Sequence, residues 1–144
     1  MQEDGIVLLG SPIGSKVFKK QAIEERINKV KELCSRLALM KDAQSEYVLL
    51  RSCLSIPKIM FILRTTDPLH RQGLWQNFDN ITRDNLSKIL GVPVNNWQWS
   101  QAQLPVSSGG LGLRAAEDHT PAAYITSILS SQDLKEGILG KTGD

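Results

Sequence analysis

SKVFKKQAIEERINKVKELCSRLAL, residues 15–39, decides the fold. Ile23, Ile27, Val30, Cys34 and Leu37 recur there at steps of four, three, four and three, the period of one face of a helix. Ser15 stands where an N-cap belongs, because its hydroxyl accepts a hydrogen bond from a first-turn N–H that has no partner inside the helix. The spacing predicts a helix over 15–39 with one wide buried stripe.

The helical period continues toward the C-terminus. Asp42 is placed to cap a second helix, whose apolar positions Tyr47, Leu50, Cys53 and Leu54 run until Pro57 interrupts it. A further apolar helical segment follows at 59–63, with Met60 and Phe61 read as core. Asp67 and Pro68 offer an N-cap and a first-turn proline for a third helix, in which Leu74, Trp75, Phe78, Ile81, Leu86, Ile89 and Leu90 are spaced for burial. Gly91 and Pro93 end it.

Between 92 and 113 the period fails. VPVNNWQWSQAQLPVSSGGLGL mixes tryptophan, proline, glycine and polar residues, so an ordered loop with at most one short extended piece is expected. A helix over about 115–129 follows, with Pro121 near its start or at a break, and a frayed polar tail closes the chain beyond 139. Toward the N-terminus, Ile6 to Leu9 reads as a strand that Gly10, Ser11 and Pro12 turn back, with Ile13 and Gly14 opening the return strand. The expected class is mainly α: a helical bundle with a short N-terminal β-hairpin and an ordered loop containing Gly, Pro and Trp. Its parts are the β element 1–14, a helical region 15–91, a loop plus helical region 92–139 and a tail 140–144.

A chain of 144 residues with 41% hydrophobic and 22% charged residues is long enough to bury a core without metal or disulfide. No apolar run approaches the length of a membrane span, and the acidic start MQEDG is the reverse of a secretory leader. Cys34 and Cys53 lie in apolar periodic surroundings and are expected to be buried reduced thiols. Together these features imply an intracellular protein, cytoplasmic or nuclear.

The net charge of +2 hides an asymmetry. Residues 10–88 hold 14 of the 17 cations and 8 of the 15 carboxylates, a surplus of six positive charges, while the rest of the chain carries a surplus of four negative ones. The densest basic run spans Lys16 to Arg36. A field of that sign attracts phosphate, although interleaved Glu and Lys on a solvated helix face produce the same composition.

Evidence of catalysis is thin. His70 and His119 have no ligand partners at zinc spacing, and Asp118 and His119, being adjacent on a helix, point apart, so they read as an exposed first-turn pair rather than a relay. GGLGL at 109–113 lacks the spacing of a phosphate loop and reads instead as a tight turn that sends Leu111 and Leu113 into the core. Arg114 behind it can touch phosphate or cap a carbonyl. Trp97 and Trp99 share a side if their segment is extended, which suits either base stacking or, more ordinarily, anchoring of a long loop.

Four motifs in order are more informative than any one of them. LLGSPIG at 8–14, LLRSCLSIPKIMFILRT at 49–65, QAQLPVSSGGLGLR at 101–114 and PAAYITSI at 121–128 resemble the region that follows the catalytic palm in reverse transcriptases of non-LTR, LINE-like retrotransposons. The likeness spans roughly residues 5–130. It implies that Leu9, Gly10, Pro12, Ile13 and Gly14 form the hairpin that supports the primer strand, the primer grip, and that the helices after it are thumb-like. On that resemblance Lys16, Lys19, Lys20, Arg51, Lys58 and Arg64 contact the backbone of an RNA–DNA hybrid or DNA duplex without base specificity. Arg51 and Arg64 equally suit helix capping or pairing with Asp42 or Asp67.

The departure from the family pattern is in its chemistry. Reverse transcription needs carboxylates, typically in a Tyr- or Phe-Ala-Asp-Asp turn, that hold two divalent ions such as Mg, and these 144 residues contain no such turn. Fingers and palm are expected before Met1, so this chain is expected to have no catalytic residues, to hold no cofactor and to be inactive as a polymerase alone. Its N-terminal strand, without the palm, is expected to favour self-association. The alternative is a helical interaction or structural module without nucleic-acid function.

Overall fold

A computed structural model describes residues 5–67 and 73–140. The chain opens with a hairpin of strands β1 (Gly5–Leu8) and β2 (Ser11–Gly14), paired antiparallel with Ile6 opposite Ile13. Leu9 and Gly10 connect them with φ of 50° and 86°. Two successive left-handed residues make the two-residue turn whose twist matches that of the strands.

Helix α1 (Lys16–Ser35) follows, capped as its sequence requires: the Ser15 side chain accepts from Phe18 N at 3.2 Å. It buries Ile23, Ile27, Val30 and Cys34. The helical run expected to reach residue 39 ends earlier, because the chain tightens into a 3-10 turn (Leu37–Met40) and Lys41 takes φ 54°. Helix α2 (Ala43–Leu49) begins at Asp42, whose carboxylate accepts from Ser45 N at 3.0 Å. The Ser45 hydroxyl, and then its backbone N–H, hold that carboxyl below the usual range.

A π-helical turn (Leu50–Leu54) joins α2 to α3 (Ile56–Thr65), with Pro57 in the first turn of α3. Pro57 starts this helix rather than only interrupting the previous one, since a first-turn residue needs no N–H. Helix α4 (Leu74–Leu90) has Gly73, at φ 95°, at its N-terminal cap position; the helix start expected after Asp67, with Pro68 and His70, falls on residues 68–72, outside the described residues. Gly91, at φ 69°, closes it as expected.

The expected loop over 92–113 contains a helix. Residues Asn96–Gln103 form α5, opened by a reciprocal capping box in which Asn95 Oδ1 accepts from Gln98 N and Gln98 Oε1 accepts from Asn95 N, both at 2.9 Å. The rest of the segment stays irregular apart from a 3-10 turn (Val106–Ser108), which leads into the glycine turn. Helix α6 (Ala116–Ser130) carries Pro121 inside it without breaking, and α7 (Gln132–Leu139) follows with no buried residue.

The fold is mainly α, with the core formed where α1, α3, α4 and α6 meet. Phe78, Ile23, Ile27, Val30, Leu50, Ile59, Leu63, Leu86 and Leu113 are its largest fully enclosed side chains. Each encloses apolar area worth roughly 1.5–3 kcal/mol, the main force holding the helices together. Two expectations about the core fail. Phe61 is 49% exposed, its ring lying against the hairpin turn at Gly10, and Cys53 is exposed while Cys34 is buried. Both thiols are free, and burial pushes that of Cys34 up to about 11 against the opposing charge of Lys88. Among the described residues no helix is long and apolar enough to cross a membrane.

Candidate functional site

On α1, residues 19, 22, 26, 29 and 33 fall on one flank of the buried stripe, because steps of three and four return to the same side. That flank faces the hairpin and α3. Between them lies a cleft of about 410 Å3, with Gly10 and Pro12 from the hairpin, Glu25, Arg26 and Lys29 from α1, and Lys58 from the first turn of α3 on its walls. Val30 and Ile62 form part of its apolar floor.

The turn at Gly10 brings the hairpin close to the cations. A Cβ on Gly10 would meet the Phe61 ring at 3.6 Å and Arg26 Nη2 at 3.9 Å, so the guanidinium lies beside the turn. Among the described residues, Arg26, Lys29 and Lys58 are not ion-paired; the pairs that form are Lys20–Glu24 at 3.8 Å and Arg36–Glu32 at 2.6 Å, elsewhere on α1. Glu25 stands four residues before Lys29, a spacing that permits a pair, yet none forms. Three cations from two helices thus converge on one concavity with their charges unspent.

The residues singled out from sequence divide. Gly10, Pro12 and Lys58 meet in the cleft. Leu9 projects from the hairpin tip, 90% exposed, and Ile13 and Gly14 lie exposed on β2. Lys16 and Lys19 sit in the first turns of α1, and Lys20 is engaged with Glu24. Arg51 does not line the cleft: its guanidinium rests on the glycine turn, with Nε 3.0 Å from where a Cβ of Gly112 would be. Arg64 is exposed in the last turn of α3. The sequence reading missed Arg26 and Lys29 as members of the site. The seven-residue and three-residue steps from Lys19 to Arg26 to Lys29 were the available signal.

The other conspicuous motif proves to be architecture. Leu111 N and Leu113 N both donate to Ala102 O at 3.1 Å, Gly112 N donates to Leu104 O at 2.8 Å, and the Tyr47 hydroxyl donates to Leu111 O at 2.6 Å. Leu113 is buried and Leu111 half-buried, as the tight-turn reading requires, and Arg114 is exposed. Trp97 and Trp99 lie on a helix, where a step of two points side chains apart, so they form no common stacking face. Trp97 is 73% exposed, not a loop anchor, and Trp99 packs partly on the core.

Asp79 is a buried carboxylate that has a structural task. It accepts from Ala116 N at 2.7 Å and from Glu117 N at 3.2 Å, capping α6 from α4. Burial pushes its carboxyl up to about 6, with Glu117 and Asp118 adding to the rise and the two N–H donors opposing it. His119 Nδ1 lies 3.0 Å from Ala115 O. Among the described residues no group of three or more His, Cys, Asp and Glu side chains is arranged to hold a metal ion.

Comparison with known proteins finds a partial likeness to a mobile-element protein. The chain is 38% identical over 60 residues to the retrotransposable element SLACS 132 kDa protein of Trypanosoma brucei gambiense; the stretch is 42% of this chain and 5% of that protein. The chain therefore spans a small part of its relative's length. No family model matches the chain, and no solved structure does.

Proposed function

We propose that this chain is a thumb-like part of a mobile-element reverse transcriptase that holds a template–primer duplex by its backbone, leaving the chemistry to catalytic carboxylates and their two divalent ions elsewhere in such an enzyme. One observation carries the reading: Arg26, Lys29 and Lys58, all without ion pairs among the described residues, surround the cleft under the same hairpin turn whose sequence resembles a primer grip. The stretch shared with a retrotransposable element protein supports the origin. Cations grouped on a concave surface neutralise phosphates and release counterions, which gives affinity without base readout. Lys16 and Lys19, near the N-terminal end of the same helix, extend the positive surface; Arg51 and Arg64 lie outside the cleft and contribute less.

The test is a salt titration of the purified chain on a fluorescent 20-bp RNA–DNA hybrid and on double-stranded DNA. Affinity is expected to fall steeply with salt. The triple reversal Arg26→Glu, Lys29→Glu and Lys58→Glu should weaken binding at least about tenfold and lower the log–log salt slope by about 2 to 3. Binding indifferent to salt, or untouched by the triple reversal, would leave the interaction-module alternative in possession. No binding to either duplex at low salt sinks the reading.

A further inference from the structure

The cleft contains a charge that phosphate binding does not explain. Glu25 lines it beside Arg26, Lys29 and Lys58, and among the described residues its carboxylate has neither an ion pair nor a hydrogen bond. A carboxylate repels phosphate, and a wall built only to hold phosphates is better without it. The ionised side chain accepts hydrogen bonds and donates none. Along a nucleic-acid backbone, the group that donates and that alternates with phosphate is the ribose 2′-hydroxyl, which is also what separates RNA from DNA.

We infer that Glu25 accepts a hydrogen bond from a ribose 2′-hydroxyl while the three cations hold the neighbouring phosphates, so that the cleft selects a ribose-containing strand. The inference rests on the proposed backbone grip and adds the identity of the strand. Glu25 is exposed on α1 and diverges from the adjacent Arg26 by about 100°, while Lys29 is a surface neighbour of both, three residues from Arg26 and four from Glu25. The carboxylate thus enters the cleft from a different angle than the guanidinium beside it.

The experiment uses the full chain and three probes of one sequence: an RNA–DNA hybrid, the same hybrid with every ribose 2′-O-methylated, and double-stranded DNA. The methylated hybrid retains 2′-substituted ribose but cannot donate. The native hybrid is expected to bind about fivefold tighter than either comparison duplex, the gain of one charge-assisted hydrogen bond in a partly exposed cleft. Glu25→Ala should bring the three affinities within about twofold of one another, while removal of a negative charge leaves DNA binding equal or tighter. Glu25→Gln, which keeps an acceptor oxygen, should retain part of the preference.

Equal binding of all three probes by the native chain overturns the role of Glu25 and leaves the backbone grip standing. A preference that survives in Glu25→Ala, or that the methylated hybrid shares, overturns it as well, since shape and not the hydroxyl is then being read. Failure to bind any probe at low salt removes the grip and the inference together.

Discussion

Two turns in this molecule look alike in sequence and differ in everything that holds them. The hairpin turn at Leu9–Gly10 joins two regular four-residue strands, yet Ile6, Val7, Leu8, Leu9 and Ile13 are all exposed. The glycine turn at 109–113 joins no strands, yet its amides bond to Ala102 and Leu104, and it ends in the fully buried Leu113. Regular backbone pairing therefore does not measure how firmly a segment belongs to a fold. A two-stranded ribbon with little buried area is marginal by itself, whereas an irregular segment gains hold when its backbone groups are hydrogen-bonded and a side chain such as Leu113 is buried. The cleft that collects Arg26, Lys29 and Lys58 lies beside the looser of the two turns.

The sharpest way to break this comparison is to add one methyl group to each turn. A Cβ on Gly110 would collide with the backbone carbonyl of Leu104, which is itself held by Gly112 N. Gly110→Ala should therefore cost about 3 kcal/mol or more, visible as a large fall in the chemical denaturation midpoint. Gly10→Ala meets only the Phe61 ring and the mobile end of Arg26 at ordinary distances, and its φ of 86° sets the penalty at about 1 kcal/mol. Equal losses at the two sites would show that the turns are held alike.

The next effect probes how the glycine turn's region is fastened to the bundle. Asp79→Ala uncaps α6 and should cost about 2 kcal/mol. Asp79→Asn gives the titration. The carboxyl rises from 3.8 in the free residue to about 6 in the folded chain, so the fold binds this proton more tightly than the unfolded chain does. Its contribution is complete below the lower value and is lost as pH climbs through the higher one. The stability of the native chain relative to Asp79→Asn should therefore fall between about pH 4 and pH 6, by at most roughly 2 kcal/mol. Urea midpoints of the two proteins at pH 4 and pH 7 measure it, and a gap that widens in favour of the native chain with rising pH contradicts the assignment.

The smallest effects belong to the hairpin. Leu9 adopts a left-handed φ of 50° at 90% exposure, a conformation that asparagine tolerates better, so Leu9→Asn should stabilise by roughly 0.5–1 kcal/mol at most. Ile6→Thr should leave the denaturation midpoint within about 0.5 kcal/mol of the native value, as surface changes do. We propose that the exposed apolar strand β1 pairs edge to edge with a second copy at high concentration, in which case Ile6→Thr shifts sedimentation toward the monomer. A native chain that sediments as a monomer at high concentration would end that proposal.

Much of this contrast was legible from particular residues. Ser15 and Asp42 announced their helices because a cap is a local interaction: acceptor and donor lie three residues apart, at Phe18 and Ser45. The same logic could have revealed α5, since Asn95 and Gln98 form a complete capping box by spacing alone. The flanking prolines and glycines hid it, because they punctuate loops more often than they border an eight-residue helix. In the cleft, Lys58 is legible through the motif it belongs to, whereas Arg26 and Lys29 carry no local signal beyond their place in the basic run of a mixed-charge helix.

Sequence alone determined the period of α1, α3, α4 and α6, the hairpin and the tight glycine turn, because apolar spacing, caps and turn residues act over three or four positions. Tertiary structure alone decided that Asp79 caps a helix thirty-seven residues away, that Arg51 lies on Gly112, and that Arg26, Lys29 and Lys58 face one cleft with Glu25 among them. Those relations depend on which faces of distant helices are pressed together, and that choice is made by the packing of the whole core rather than by any local stretch of chain.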